Sequence, residues 1–349
     1  MTISYEQEWP KKKLPIVIIG AGGIVKDAHL PAYKKAGFKV LAIYDLHVNQ
    51  AKQLASTFDI ENVCETLPEL IATAQGTKQV VYDLAVPAAQ IIKILPNLPD
   101  GSAVLIQKPM GETLEAAQEI LEICNAKQLK ASVNFQLRFA PFVNAARSII
   151  QSGAIGELYD LKVKVCTYTP WHLWDFLLQT PRVEILYHSI HYIDLVRSFL
   201  GEPKRVMAKT VKHPNAKVAS TRSNMLFDYG NEISATINTN HDHNFGREHQ
   251  KSFIKWEGTK GVIVATMGLL LDYPHGEPDA FEYCVINEDG QAKWQTVAIE
   301  GSWFPDAFMG SMASLMRYVE DSENQLPTAV TDALKTMELV EAAYKSSTF

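Results

Sequence analysis

Apolar residues recur along this chain in two rhythms. Between residue 14 and about residue 135, short uninterrupted apolar runs alternate with segments whose apolar residues fall every three or four positions. Unbroken runs are how strands buried on both faces of a parallel sheet read, and the longer spacing marks helices. The pattern predicts strands over residues 14–19, 39–44, 79–85, 103–106 and 131–135. Helices are predicted over 26–36, 48–58, 68–75, 88–95 and from the N-cap Thr113 to about 129. Such alternation builds a doubly wound parallel sheet. After a further helix over 141–151 the rhythm changes. Strands follow one another at 159–166, 205–211, 224–227, 232–238, 252–257 and 261–265, interrupted by one clear helix over 187–200. Runs of adjacent strands predict a mostly antiparallel open sheet. Helices near 306–320 and 331–345 close the chain, and residues 1–13 read as a polar leader. The expected class is α/β: an N-terminal doubly wound domain over 1–137, then an α+β domain with an open sheet over 138–349.

The turn after the first strand sharpens this picture. It reads Gly20-Ala21-Gly22-Gly23-Ile24-Val25 and leads directly into a helix, the strand–turn–helix context that gives a Gly-x-Gly-x-x-Gly pattern its meaning. Gly20 permits the tight turn, and Gly22, lacking Cβ, lets a pyrophosphate approach the backbone. N–H groups at the helix start, Gly23 and Ile24 among them, hold the phosphate charge. Val25 stands where a third small residue is usual, which implies a wider helix or a shifted loop. Asp45 ends the next strand, twenty residues beyond Val25. A carboxylate there binds the adenine ribose hydroxyls and repels a 2′-phosphate, so the expected cofactor is NAD, with NADP second. Asp45 also reads as an N-cap for the following helix.

Composition narrows the class further. A chain of 349 residues, 47% hydrophobic and 21% charged, has the makeup of a two-domain globular protein. A net charge of −6 argues against nucleic acid or an anionic membrane as partner. Cys64, Cys124, Cys166 and Cys284 form no C-x-x-C pair, so free thiols in a reducing, cytoplasmic compartment are expected. No apolar run is long enough to span a bilayer. Lys11-Lys12-Lys13 before an apolar run mimics a signal peptide, but the run leads into the glycine turn and shows no cleavage site.

Three groups of residues carry candidate chemistry. Lys108, followed by Pro109 at a strand end, faces the crevice where cofactors bind in such sheets and would stabilise an alkoxide; a surface lysine is the plainer reading. Around it, Ala85, Pro87 and Gln107 at strand ends join the glycine loop and Asp45 as candidate cofactor contacts. The segment from Glu184 to Arg197 places Tyr187 and His191 on one helix face, and Glu184 and His188 on another. His191 has the natural pKa for taking a proton near neutrality, though a structural hydrogen-bonded histidine is the alternative. Asp194 is a candidate partner for Arg197. The third group is His241-Asp242-His243-Asn244, with Arg247 and His249 beyond. Its spacing matches no standard zinc pattern, so no metal is expected, and a polar loop touching a polyol is the better reading. Trp171, Trp174 and Trp303 sit in loops, where they either stack on sugar rings or close cores and interfaces.

Taken together, these motifs resemble the glucose–fructose oxidoreductase and inositol dehydrogenase (Gfo/Idh/MocA) family over essentially the whole chain. The resemblance rests on the glycine turn, His29-Leu30-Pro31-Ala32, Asp45, Gln107-Lys108-Pro109, Asn134-Phe135-Gln136-Leu137-Arg138-Phe139, His191-Tyr192-Ile193-Asp194-Leu195 and Glu257-Gly258-Thr259-Lys260-Gly261. It implies a Rossmann domain, a second domain with an open sheet, a nicotinamide cofactor and a sugar or polyol substrate. Homodimers or homotetramers built through the open sheet are also implied. Lys108 then matches the catalytic lysine of the family's Glu-Lys-Pro motif, and His191 the proton acceptor of its Asp-x-x-x-His motif. Gln107 replaces the usual glutamate, and Tyr187 stands where the aspartate would be. Tyr187, His188 or Glu184 would have to supply what that aspartate does.

The expected function is an NAD-dependent dehydrogenase moving a hydride between nicotinamide and a hydroxyl or keto carbon of a sugar, cyclitol or related polyol. Lys108, His191 and Tyr187 are its candidate catalytic residues. Lys108, Arg138, Trp174, His188, His191 and His243 are its candidate substrate contacts. Two alternatives stay open: a glycoside-cleaving enzyme that recycles its NAD, and a non-enzymatic NAD(H)-dependent regulator.

Overall fold

The computed structural model describes residues 3–173, 175–286 and 289–348. The chain divides into two compact units. One comprises Gln7–Phe139 and Phe304–Met337; the other comprises the residues up to Glu6, Ala140–Trp303 and the residues from Glu338 onward.

The first unit holds six strands: β1 (Ile16–Ile19), β2 (Val40–Tyr44), β3 (Asn62–Cys64), β4 (Val81–Leu84), β5 (Ala103–Ile106) and β6 (Lys130–Val133). All pair in parallel, in the order β3-β2-β1-β4-β5-β6. Every residue of β1, β4 and β5 is buried, which is why these runs lack polar alternation. The intervening helices are α1 (Leu30–Ala36), α2 (Val48–Phe58), α3 (Leu67–Gln75), α4 (Ala88–Ile94) and α5 (Leu114–Ala126). Their ends follow local chemistry. Thr66 and Thr113 accept hydrogen bonds from the N–H groups of Glu69 and Ala116, and Gly37 at φ 64° closes α1. Val25 is fully buried, and Val25–His29 winds as a π turn before α1 begins, a wider coil at the position where a small residue is usual.

This unit does not end at residue 137, where a single division of the chain was expected. Its helix Asp306–Glu320 (α8) presents Phe308, Met312, Leu315 and Met316 to the same core cluster as Ile16, Ile18 and Val25. An apolar face of that size is stable only when covered, so the segment belongs with the first sheet. The N-terminal leader is likewise not a free polar tail. Trp9 packs edge-on to Phe38 at 6.0 Å, and the Lys11 N–H donates to Glu320 at 3.0 Å.

The second unit is built on eight strands: β7 (Leu158–Cys166), β8 (Arg205–Val211), β9 (Arg222–Asp228), β10 (Ser234–Asn240), β11 (Lys251–Gly258), β12 (Gly261–Thr266), β13 (Ala280–Ile286) and β14 (Ala292–Val297). Their order is β14-β13-β12-β11-β7-β10-β9-β8, antiparallel except for the β7–β10 pair. One face is packed: Leu161, Val163, Ile237, Ile254, Trp256 and Ile263 are buried. The other leaves Tyr159, Met207, Leu226 and Trp294 exposed. The helices α6 (Pro141–Gln151) and α7 (Ile190–Leu200) belong to this unit, with a π turn over Glu184–Ser189 feeding directly into α7. The last helix is α9 (Val330–Ser347). No helix among the described residues is long and apolar enough to cross a membrane. Cys64, Cys124, Cys166 and Cys284 are free thiols, and burial pushes Cys124 up to about 12.

Candidate functional site

In the first unit the strand order reverses between β1 and β4, so the carboxyl ends of these strands open the crevice where ligands bind in such sheets. The ladder holds these ends level. The Ala85 N–H donates to the Ile19 carbonyl at 2.8 Å, and the Gln107 N–H to the Leu84 carbonyl at 2.9 Å. Gly20 sits at φ +113°, and a Cβ there would lie 2.2 Å from the Ala85 carbonyl oxygen. Only glycine fits. At Gly22 a Cβ would meet nothing within 4 Å, leaving the loop open to a close-approaching group. Ile24 packs against the core below the loop, and Pro87 caps α4 across from it.

Asp45 ties this loop to β2. One carboxylate oxygen accepts from the Ala21 N–H and the other from the His47 N–H, both at 2.7 Å. His47, not Asp45, is the N-cap of α2, so the capping alternative does not hold. Each oxygen keeps a second lone pair for a ribose hydroxyl. Beneath the loop, His29, Tyr33 and Asp83 form a buried network. His29 Nδ1 lies 2.7 Å from Asp83 Oδ2, to which the Tyr33 hydroxyl also donates at 2.8 Å. Burial, with the Asp83 charge, raises Tyr33 well above the usual tyrosine range. These links pin the glycine-loop helix to β4.

Gln107 and Lys108 follow β5. Gln107 is buried, and its side-chain oxygen has no hydrogen-bond partner among the described residues. A buried amide oxygen without a donor is costly, and a bound amide or hydroxyl would relieve it. Lys108 is half-buried as a residue, but burial of its ammonium pulls its pKa down to about 8. Open space over Gly22, the obligate Gly20 and the orphaned Gln107 oxygen all fit a dinucleotide laid across the strand ends.

Arg138 is engaged within its own unit. It donates to the Pro327 carbonyl at 2.9 Å and pairs with Asp332 at 2.7 Å inside the first unit. The expected substrate contact is thus an internal clamp between the end of β6 and the segment leading to α9.

The second unit gathers the remaining candidates around the start of α7. His191 is 5% exposed, with its ring edge-to-face on Trp303 at 5.6 Å. Tyr187 lies in the π turn before α7. Its ring packs with Leu177, Val183 and Val218 and meets Phe176 at 5.6 Å. Arg197 is paired with Glu202 through Nε and Nη2, at 3.0 and 2.5 Å. His243 bonds the Glu248 carbonyl at 2.8 Å through Nε2, away from His241. Trp174 lies outside the described residues.

His241 instead meets residues distant in sequence. Its backbone is pinned on both sides: its N–H donates to the Thr221 carbonyl at 3.1 Å, and its carbonyl accepts from Thr169 at 3.0 Å. Its Nδ1 lies 2.8 Å from Thr169 Oγ1, and its Nε2 3.3 Å from Glu184 Oε1. The His188 ring stacks edge-on to it at 4.1 Å, and Trp171 borders both. Burial alone would raise the Glu184 pKa. The hydrogen bond and charge of His241, with the Ser189 hydroxyl, outweigh it and hold the carboxyl below the usual range. The Glu184–His241 pairing has no local signature, because 57 residues separate its members.

A parallel-sheet unit with an obligate glycine turn and a carboxylate at the second strand defines a dinucleotide-binding oxidoreductase. Its partner unit carries a histidine-rich helix over an open sheet. Residues 14–135 match the family described as "Oxidoreductase family, NAD-binding Rossmann fold", and residues 143–264 match "GFO/IDH/MocA C-terminal domain". The chain belongs to the Gfo/Idh/MocA family of NAD-binding oxidoreductases. It is 21% identical to D-apiose dehydrogenase of Paraburkholderia graminis, covering 96% of this chain and 88% of that one. It is 25% identical to glucose-6-phosphate 3-dehydrogenase of Bacillus subtilis, covering 89% and 97%. A levoglucosan dehydrogenase solved with NADH and levoglucosan shares the fold, with a TM-score of 0.77, 17% identity and 97% and 98% of the two chains covered.

Proposed function

We propose that this chain is an NAD-dependent dehydrogenase that oxidises a hydroxyl carbon of a sugar, cyclitol or related polyol. The observation that carries the reading is Lys108: an ammonium at the end of β5, its pKa drawn down to about 8, beside a buried amide oxygen with no hydrogen-bond partner among the described residues. The names of the relatives, dehydrogenases of apiose, glucose 6-phosphate and levoglucosan, support the substrate class.

When bound, the nicotinamide supplies the hydride acceptor. Gly20 and Gly22 leave room for the pyrophosphate, and Ala85, Pro87 and Gln107 line the strand ends beside it. Asp45 selects an unphosphorylated adenine ribose. His191 takes the hydroxyl proton of the substrate, and the Lys108 ammonium stabilises the oxyanion that develops on that oxygen. The Trp303 ring sets the plane of the His191 imidazole. His188 contributes to substrate contact. The Tyr187 ring packs in an apolar cluster with Leu177, Val183 and Val218. The exposed apolar face carrying Met207, Leu226 and Trp294 supports a homo-oligomer formed through the open sheet.

The test is absorbance at the reduced-nicotinamide band, with purified protein, NAD or NADP, and a panel of sugars, cyclitols, sugar acids and glycosides. NADH growth with one polyol class is expected. Release of sugar from a glycoside without NADH growth would overturn the reading. His191→Ala should lower turnover by roughly 10²–10⁴-fold while NAD affinity is kept.

A further inference from the structure

Proton and hydride transfer leave Glu184 and His241 unused, and His188, the candidate substrate contact, lies beside them. Glu184, His188 and His241 bring one carboxylate oxygen and two imidazole nitrogens within 4.8 Å of one another. Glu184 and His241 are buried and His188 is half-buried. The three come from two rigid supports, the π turn ahead of α7 and the end of β10.

Each of the two buried members is held by an outer partner. The π winding brings Ser189, five residues on, back over Glu184, and its hydroxyl donates to Oε1 at 2.6 Å. Thr169 Oγ1 engages His241 Nδ1 at 2.8 Å, which leaves Nε2 aimed at the carboxylate. Outer hydrogen bonds of this kind orient metal ligands. Glu184 Oε2 is buried without a hydrogen-bond partner among the described residues. Ser223, the nearby hydroxyl, is committed to Thr210 Oγ1 at 2.9 Å. A buried carboxylate oxygen left without a hydrogen-bond partner among the described residues is a place for a cation.

We propose that Glu184, His188 and His241 bind a divalent transition-metal ion, with open coordination positions on the half-buried His188 side. Two imidazoles and one carboxylate suit Zn²⁺, Co²⁺ or Mn²⁺ rather than Ca²⁺, which takes oxygen ligands. Ligand bonds of about 2.0–2.2 Å put adjacent donors roughly 3 Å apart, close to the observed 3.3 Å between His241 and Glu184. The site is independent of the dehydrogenase reading, because metal is counted directly.

The experiment is equilibrium dialysis of chelator-stripped full-length protein against Zn²⁺, with metal counted by mass spectrometry and Co²⁺ absorption as a second readout. One Zn²⁺ per chain is expected, with a d–d spectrum of low coordination number for Co²⁺. His188→Ala removes the least buried ligand, and His241→Gln and Glu184→Gln remove the others. Each should weaken Zn²⁺ binding at least tenfold. His249→Ala and His275→Ala, at exposed positions, should leave it unchanged. Circular dichroism checks that the variants fold, and His188→Ala decides the matter if the buried variants do not. Failure of wild-type protein to hold stoichiometric Zn²⁺ would overturn the site. So would stoichiometric Zn²⁺ that survives His188→Ala or is lost with the exposed histidines.

Discussion

Lys108 offers the sharpest test, because one number governs two measurements. Burial draws its pKa from 10.5 to about 8. If its ammonium stabilises the developing oxyanion, kcat/KM should fall as pH rises through about 8, by roughly tenfold at pH 9. An ordinary lysine would hold the plateau to above pH 10. Lys108→Arg should move the alkaline limb upward, since a guanidinium stays charged. The same shift is a statement about stability. Between pH 8 and 10.5 the unfolded chain binds a proton that the folded chain has released, so this group makes stability rise with pH across that window. At neutral pH both states are protonated, and burying the charge costs about 3 kcal/mol. Lys108→Met keeps most of the stem and removes the charge. It should raise stability at pH 7 by a sizeable part of that amount, flatten the gain between pH 8 and 10.5, and abolish turnover. Urea unfolding at pH 7 and pH 10, followed by fluorescence, reads the first two. An alkaline limb near 10.5, or a Lys108→Met variant that is no more stable and still turns over substrate, would refute the reasoning.

Other perturbations give independent checks. Gly20→Ala forces a Cβ to 2.2 Å from the Ala85 carbonyl at a positive φ, so it should cost on the order of 3 kcal/mol or more and abolish NAD binding, seen by thermal unfolding and cofactor titration. Asp45→Ser should shift the NAD/NADP affinity ratio toward NADP by about tenfold or more, and loosen the loop through loss of the Ala21 bond, as read by fluorescence titration of both cofactors. Arg138→Ala should destabilise the protein by roughly 1–3 kcal/mol in a denaturant melt, with KM for substrate unchanged, because its partners are Pro327 and Asp332.

What could be read from sequence tracks how local the governing physics is. β5, α2, α6 and α8 begin and end where apolar period and flanking residues place them, since each signal lies within a few residues of the feature it controls. β13 and β14 were not foreseen. β14 lies at the sheet edge with nearly every residue exposed, so it carries no alternation to detect. The return of α8 to the first unit was hidden for another reason: its apolar face shows that something covers it, not which sheet does. The glycine turn, Asp45 and Lys108 were legible because a short motif encodes them. Arg138 is ambiguous from sequence, because a conspicuous charge at a strand end reads the same whether its partner is a ligand or Asp332.

The start of α7 shows how one irregular turn redistributes chemistry. Family members of the usual pattern carry an aspartate four residues before the histidine, where this chain has Tyr187. In this chain Glu184–Ser189 is π-wound, so Ser189 lies over Glu184 and the Tyr187 ring turns into a satellite apolar cluster. A carboxylate is still present in this turn, but three residues earlier, and its partner is His241 rather than His191. The His191 ring meets the Trp303 ring edge-to-face at 5.6 Å. An edge-to-face ring contact of this kind holds the imidazole plane without itself adding charge.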